Sequence, residues 1–216
     1  MLDRYTSFPP VEEALTEPNG LLAIGGDLTT NRLLDAYTHG IFPWFSAGEP
    51  IVWWSPDPRM VLYPDELKIS RSMSRRLNRK DYEVRFNTSF RQVMQACAET
   101  RRPGQDGTWI TDEMIDAYCA LHVSGHAMSA ETWIGNRLAG GLYGVRIGKM
   151  FYGESMFHHV TDASKIAFVH LVQELKRQNF GLLDCQMKTS HLASLGAREI
   201  SRKEFCQLMS KLIQYS

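Results

Sequence analysis

The chain has few cysteines, no long hydrophobic run and no excess of either sign of charge. Cys97, Cys119, Cys185 and Cys206 are scattered without a CxxC pair. Reduced thiols in the core are therefore expected, rather than a disulfide framework or a zinc ribbon. The longest apolar runs, such as Leu21–Ile24, are far too short to span a bilayer. The first ten residues include Asp3, Arg4, Pro9 and Pro10 and hold no apolar leader segment, so no membrane and a cytoplasmic setting are expected. Formal net charge is zero, and bulk charge points to no nucleic-acid partner. There is no GxxxxGK[ST] string, and neither Gly25-Gly26-Asp27 nor Gly140-Gly141 is a GxGxxG fingerprint, so ATP-driven activation is not indicated. His122 and His126 lie outside any HExxH, and His158-His159 has no companions at metal spacing. No metal and no cofactor are expected.

What is present suits a folded protein. The 216 residues are 44% hydrophobic and 22% charged, enough for one large domain or a domain with a small companion. The first sixty or so carry Pro9, Pro10, Pro18, Pro43, Pro50, Pro56 and Pro58 with the aromatic cluster Phe42, Trp44, Phe45, Trp53 and Trp54. Residues 1–62 read as a small, loop- and aromatic-rich N-terminal domain with one short helix over 30–39. Residues 63–216 read as the main domain. Phe90, Val93, Met94 and Cys97 recur at helical spacing, and Thr111 can cap a second helix. Strands over 127–134, 138–145 and 150–156, separated by turn signals, predict an antiparallel meander. Asp162 is expected to cap a long amphipathic helix, a strand follows over 180–187, and Ser201-x-x-Glu204 opens a final helix as a capping box. The fold class is α+β.

Three local features can carry chemistry. In Leu182-Leu183-Asp184-Cys185-Gln186 the alternation of a strand puts Asp184 and Gln186 on one face. Asp184 either caps a following turn or forms an acid/amide site with Gln186. In Gly153-Glu154-Ser155-Met156-Phe157 an acidic residue sits inside an apolar segment, where it is either paired or functional. Over 67–80, a helix with the stripe Ile69, Met73 and Leu77 would turn Arg71, Arg75 and Arg79 outward, with Arg76 and Lys80 nearer its edges. Such a cationic face is the usual footprint for phosphate backbones, and equally a solvated helix surface.

Longer strings say more. Asn19-Gly20-Leu21-Leu22-Ala23-Ile24-Gly25-Gly26-Asp27-Leu28, then Gly40-Ile41-Phe42-Pro43-Trp44-Phe45 with Trp53-Trp54-Ser55-Pro56-Asp57-Pro58-Arg59, closely resemble the bacterial leucyl/phenylalanyl-tRNA–protein transferase family. Gly107-Thr108-Trp109-Ile110, Gly153-Glu154-Ser155-Met156-Phe157, Asp184-Cys185-Gln186 and the segment His191 to Ala197 fall in that family's order. The resemblance runs from about Phe8 to Phe205.

The resemblance implies a small N-terminal domain on a C-terminal domain similar to the GCN5-related acetyltransferase fold. The R/Q-x-x-G-x-G/A loop that grips coenzyme A in acetyltransferases is missing, which fits an aminoacyl-tRNA donor. The implied reaction moves Leu, Phe and also Met from leucyl-tRNA, phenylalanyl-tRNA or their like to proteins with N-terminal Arg or Lys, marking them for degradation. A monomer is expected. Asp184 and Gln186 are implied as catalytic, with Asp184 fixing Gln186. Glu154, with Asp184, would bind the acceptor. Trp44 and Trp109 would stack on the terminal adenosine, with Leu142, Met156, Phe157 and Leu171 around the aminoacyl side chain. Leu142 stands where a relative carries Met, a mild change of volume. Arg71, Arg75, Arg76, Arg79 and Lys80 would grip tRNA phosphates.

Overall fold

A computed structural model describes residues 1–3, 5–79, 81–100 and 108–214; Lys80 lies outside them. The N-terminal part contains β1 (Leu21–Ile24), α1 (Thr30–Thr38), β2 (Phe42–Pro43) and β3 (Val52–Trp54). Its three strands form a small antiparallel sheet in the order β1-β3-β2. Thr29 accepts the N–H of Arg32 to start α1, and the helix buries Leu33, Ala36 and Tyr37.

The larger part follows as β4 (Arg59–Leu62), α2 (Arg71–Leu77), β5 (Glu83–Phe86), α3 (Phe90–Glu99), α4 (Asp112–Val123), β6 (Ala127–Ile134), β7 (Arg137–Ile147), β8 (Met150–His158), α5 (Ala163–Arg177), β9 (Leu182–Gln186), α6 (Ser190–Ser194), β10 (Arg198–Ile200) and α7 (Arg202–Ile213). Seven strands make one sheet in the order β10-β4-β9-β8-β7-β6-β5. The expected meander is present as β6-β7-β8, extended by β5 on one side. The mixed α/β class is as expected. The boundary drawn at 62 falls behind β4, which pairs with β9 and β10 and so belongs to the large sheet. Asp162 takes the expected position before α5, but with φ 66° and no capping bond from its side chain. Its carboxylate meets Lys165 at 3.0 Å instead.

Helices cover both faces of the sheet. On one, α5 packs Ala167, Phe168, Leu171 and Val172 against Leu142, Phe151 and Leu183. On the other, α3 and α4 pack Val93, Met94, Met114 and Tyr118 against Tyr143, Val145 and Tyr152, and this core continues into Leu33, Tyr37 and Trp53 of the N-terminal part. A shared apolar core therefore joins the two parts.

One polar device lies in that core. Glu131 of β6 is fully buried and accepts the N–H groups of Thr88 and Ser89 at 3.0 and 2.9 Å, the Ser129 hydroxyl at 2.8 Å, the Trp133 indole at 3.2 Å and the Thr88 hydroxyl. Ser89 makes no side-chain cap on α3, so Glu131 holds the turn that enters it. Removing this carboxylate strands several buried donors at once. Glu131→Ala is expected to lower stability by roughly 3 kcal/mol, read as a lower urea midpoint at an unchanged slope.

Candidate active site

The site forms where two neighbouring strands part. β8 and β9 run parallel and pair from Met150 with Leu182 to Tyr152 with Asp184, and no further. Beyond that fork both strands are irregular. Opposite β8, Tyr143 pairs with Ser155 and the next residue, Gly144, with Gly153, which leaves Glu154 as an extra, bulged residue. Opposite β9, Val61 pairs with Asp184 and Met60 with Gln186, which leaves Cys185 bulged. Bulges bend a strand and re-aim its side chains. In β8 the phase of burial changes across this one. Phe151 and Tyr152 face the α5 side and the α3/α4 side respectively, whereas Met156 and Phe157 do so in the same order five residues on.

A cavity of about 430 Å³ fills the fork. Its walls come from both faces of the sheet: Leu142, Phe151, Phe168 and Leu183 from the α5 side, and Phe42, Trp109 and Tyr143 from the other. Trp44, Met156, Glu154, Asp184 and Gln186 also line it. One space thus brings together seven of the residues singled out from sequence: Trp44, Trp109, Leu142, Met156, Glu154, Asp184 and Gln186. Two others are elsewhere. Phe157 is buried in the α3/α4-side core, turned there by the bulge, and Leu171 packs under α5 one turn beyond Phe168. Phe151, Phe168 and Leu183 take the place on the apolar wall that sequence had given to those two.

The polar end is built around Asp184, which is wholly buried. Its two oxygens accept Nε and Nη2 of Arg59 at 2.8 and 2.6 Å, a bidentate ion pair between β4 and β9. Arg59 is as deeply buried, donates to the Gly40 carbonyl at 3.0 Å, and lies between the rings of Phe42 and Phe205, 4.8 and 4.6 Å from their centroids. Gly40, at φ 75°, has backbone geometry that favours glycine, and a Cβ there would press on the Phe205 ring at 3.0 Å.

Asp184 also accepts the backbone N–H of Gln186 at 2.8 Å. Gln186 has φ 61°, in the left-handed region that side chains other than glycine seldom occupy. Such a conformation costs on the order of 1–3 kcal/mol and persists only where its surroundings impose it. Asp184 therefore holds Gln186 by its main chain, whereas the side-chain amide is held by another residue. Its Nε2 donates to Glu154 at 3.2 Å.

Glu154 gathers further donors. Tyr37 of α1 donates to its Oε1 at 2.7 Å, Tyr118 of α4 reaches Oε2 at 3.5 Å, and the two tyrosine hydroxyls contact each other. Burial pushes the Glu154 carboxyl up to about 8; the Asp184 charge adds to this, while the tyrosine donors and Arg59 oppose it. Burial, and then Glu154 itself, raise both phenols well above their ordinary range.

Sequence reasoning missed Arg59, Tyr37 and Tyr118. Arg59 closes one of the quoted strings but carries no local sign of burial, and Tyr37 reads simply as part of an apolar helix stripe.

The cationic residues lie apart from the cavity. α2 exposes Arg71 and Arg75, and Arg79 follows it in the next turn. Arg76 is instead tied to Asp81 at 2.5 Å and lies 5.4 Å over the Tyr82 ring. Among the described residues, no group of His, Cys, Asp and Glu side chains could hold a metal, and no helix is long and apolar enough to cross a membrane.

Comparison with known proteins agrees with the resemblance. Residues 61–210 match the family model described as leucyl/phenylalanyl-tRNA protein transferase, and residues 26–57 match the N-terminal domain of the same family. Leucyl/phenylalanyl-tRNA–protein transferases of Chromobacterium violaceum and Nitrosospira multiformis are 61% and 60% identical over 208 residues, covering 96% of this chain and 89% of each relative. Among solved structures, L-PGS from Bacillus licheniformis aligns with TM-score 0.49 at 12% identity, over 86% of this chain and 70% of that one. A GCN5-related N-acetyltransferase from Kribbella flavida aligns with TM-score 0.40 at 6% identity, over 78% of this chain and 60% of that one. Two family matches and relatives of this closeness, spanning nearly the whole sequence, establish that the chain belongs to the leucyl/phenylalanyl-tRNA–protein transferase family.

Proposed function

We propose that this protein transfers leucine, phenylalanine or methionine from aminoacyl-tRNA to the N-terminal Arg or Lys of acceptor proteins, marking them for degradation, and that it does so as a cytoplasmic monomer. The observation that carries this reading is the two-ended cavity. An apolar chamber lies on one side of the sheet, an acid/amide cluster on the other, and two tryptophans on the wall. One chain supplies all of these parts.

The donor is an activated ester, so the reaction needs orientation and charge stabilisation rather than ATP. Leu142, Phe151, Met156, Phe168 and Leu183 suit an aliphatic or aromatic side chain that is unbranched at Cβ. An apolar pocket of this kind separates substrates by only about 1–3 kcal/mol per methylene, which is why methionine belongs with leucine and phenylalanine. Trp44 and Trp109 offer flat faces for the terminal adenosine. Gln186 lies beside the reacting carbonyl, where its amide holds the attacking amine, and Asp184 positions it from behind. Glu154, with Asp184 close by, gives the acceptor end an acidic wall suited to a cationic N-terminus.

Arg71, Arg75 and Arg79 have no carboxylate within ion-pairing distance among the described residues and are free to meet phosphates. Arg76 is engaged by Asp81 and holds the end of α2. Met73 fastens the helix on Ile166 and Val169 of α5. A cationic face anchored on the main domain supports acceptor-stem binding.

Three outcomes test this reading. Labelled leucine passes from leucyl-tRNA to a peptide beginning with Arg and not to the same peptide beginning with Ala; label on neither would overturn it. Gln186→Ala lowers kcat by about a hundredfold with the tRNA Kd unchanged, measured by single-turnover transfer beside filter binding. Replacing Arg71, Arg75 and Arg79 together with Ala weakens tRNA binding and flattens its salt dependence by about one in log–log slope per arginine, while kcat at saturating tRNA holds.

A further inference from the structure

Glu154 stands at the bulge of β8 with its carboxylate ringed by neutral donors: the Tyr37 hydroxyl at 2.7 Å, the Gln186 amide at 3.2 Å and the Tyr118 hydroxyl at 3.5 Å. The charged and titratable groups that face it are few. They are Tyr37 from α1, Tyr118 from α4, Asp184 from β9 and Arg59 from β4. Tyr152, on the same strand, has a buried hydroxyl without a hydrogen-bond partner among the described residues and feels Asp184 and Arg59. Arg59 is already committed to Asp184 at both oxygens, and no cation touches Glu154 among the described residues.

Asp184 is poorly placed to take a proton from the acceptor. One of its oxygens accepts from Arg59 and from the Gln186 N–H, the other from Arg59 again, and its exposure is nil. Glu154 is only partly buried and lines the cavity. We propose that Glu154 is the group that receives the acceptor's proton, and that Tyr37 and Tyr118 are positioning residues that hold its carboxylate for that purpose. This rests on the reading above, in which an α-amine attacks an aminoacyl ester.

The step balances as follows. The acceptor arrives as an ammonium, whose pKa of about 8 leaves most of it protonated at neutral pH. It gives one proton to a Glu154 oxygen, and the freed nitrogen lone pair forms the C–N bond at the ester carbonyl. The bond between carbonyl carbon and ribose oxygen then breaks, and the ribose oxygen leaves with its electron pair and a second proton from the nitrogen. The third proton stays as the new amide N–H. No ATP, metal or redox partner enters. Burial raises the Glu154 carboxyl to about 8, into the range of the incoming ammonium, which suits it to accept that proton.

The test is the pH dependence of kcat at saturating acceptor and donor, from about pH 6 to about pH 9, which reports groups in the assembled complex. Tyr37→Phe and Tyr118→Phe remove hydroxyls that favour the carboxylate, so each moves the acid limb of the profile upward, Tyr37→Phe further. Tyr37→Phe is expected about tenfold slower than wild type below the limb and to converge with it above. Glu154→Gln loses the limb and stays slow throughout. Equal slowing of both tyrosine variants at every pH, or a Glu154→Gln enzyme that raises KM with an unchanged kcat profile, would overturn the assignment. Thermal unfolding of each variant identifies loss of fold. Failure of the wild type to transfer at all would count against the reaction itself.

Discussion

The buried pair of Arg59 and Asp184 is the constraint on which the site depends. Two charges removed from water lose several kcal/mol of hydration each, and their attraction repays this only with good geometry and satisfied neighbours. Both conditions are met: two short bonds join the pair, the Gly40 carbonyl accepts a further guanidinium N–H, and two phenyl faces enclose the cation. The pair also crosses from β4 to β9 at the point where β9 leaves β8. It stitches the fork on one side while the other side opens into the cavity. The left-handed Gln186 is a consequence, since its N–H is drawn to the same carboxylate.

Around this fixed point the site divides its labour by face. Apolar side chains lie under α5, the acid/amide cluster lies under α1 and α4, and the parted strands let one cavity reach both. An intact ladder would have kept those faces apart. Two bulges on adjacent strands do the work that loops do in many enzymes, and they keep Glu154, Asp184 and Gln186 on rigid elements.

The sequence was most legible where one periodicity ran unbroken. The stripe of α3, the capping box of α7 and the three meander strands are plain, because their apolar residues recur at one spacing over two or more turns or pairs. Asp184, Gln186 and Glu154 were legible as polar residues in apolar strands. What stayed hidden depends on contacts distant in sequence. Nothing near Arg59 shows that its partner is 125 residues away. Tyr37 supplies a ring to a core and a hydroxyl to a site, and periodicity registers only the ring. Phe157 is placed at the pocket by the resemblance, and the bulge at Glu154 turns it into the α3/α4-side core instead. β4 and β10 are short and carry charge, so their place in the sheet comes from pairing alone.

Phe205 has a consequence for how the protein comes into being. This ring, on α7, presses on Arg59 and Gly40, and α7 is the last helix of the described chain. A ribosome that has released residues up to α6 has already made every group lining the cavity, yet the guanidinium that orders them still lacks one of its two aromatic walls. Enclosure of the active centre therefore waits until α7 has been made. A chain cut short before α7 would carry the residues of the site without the enclosure that sets their geometry.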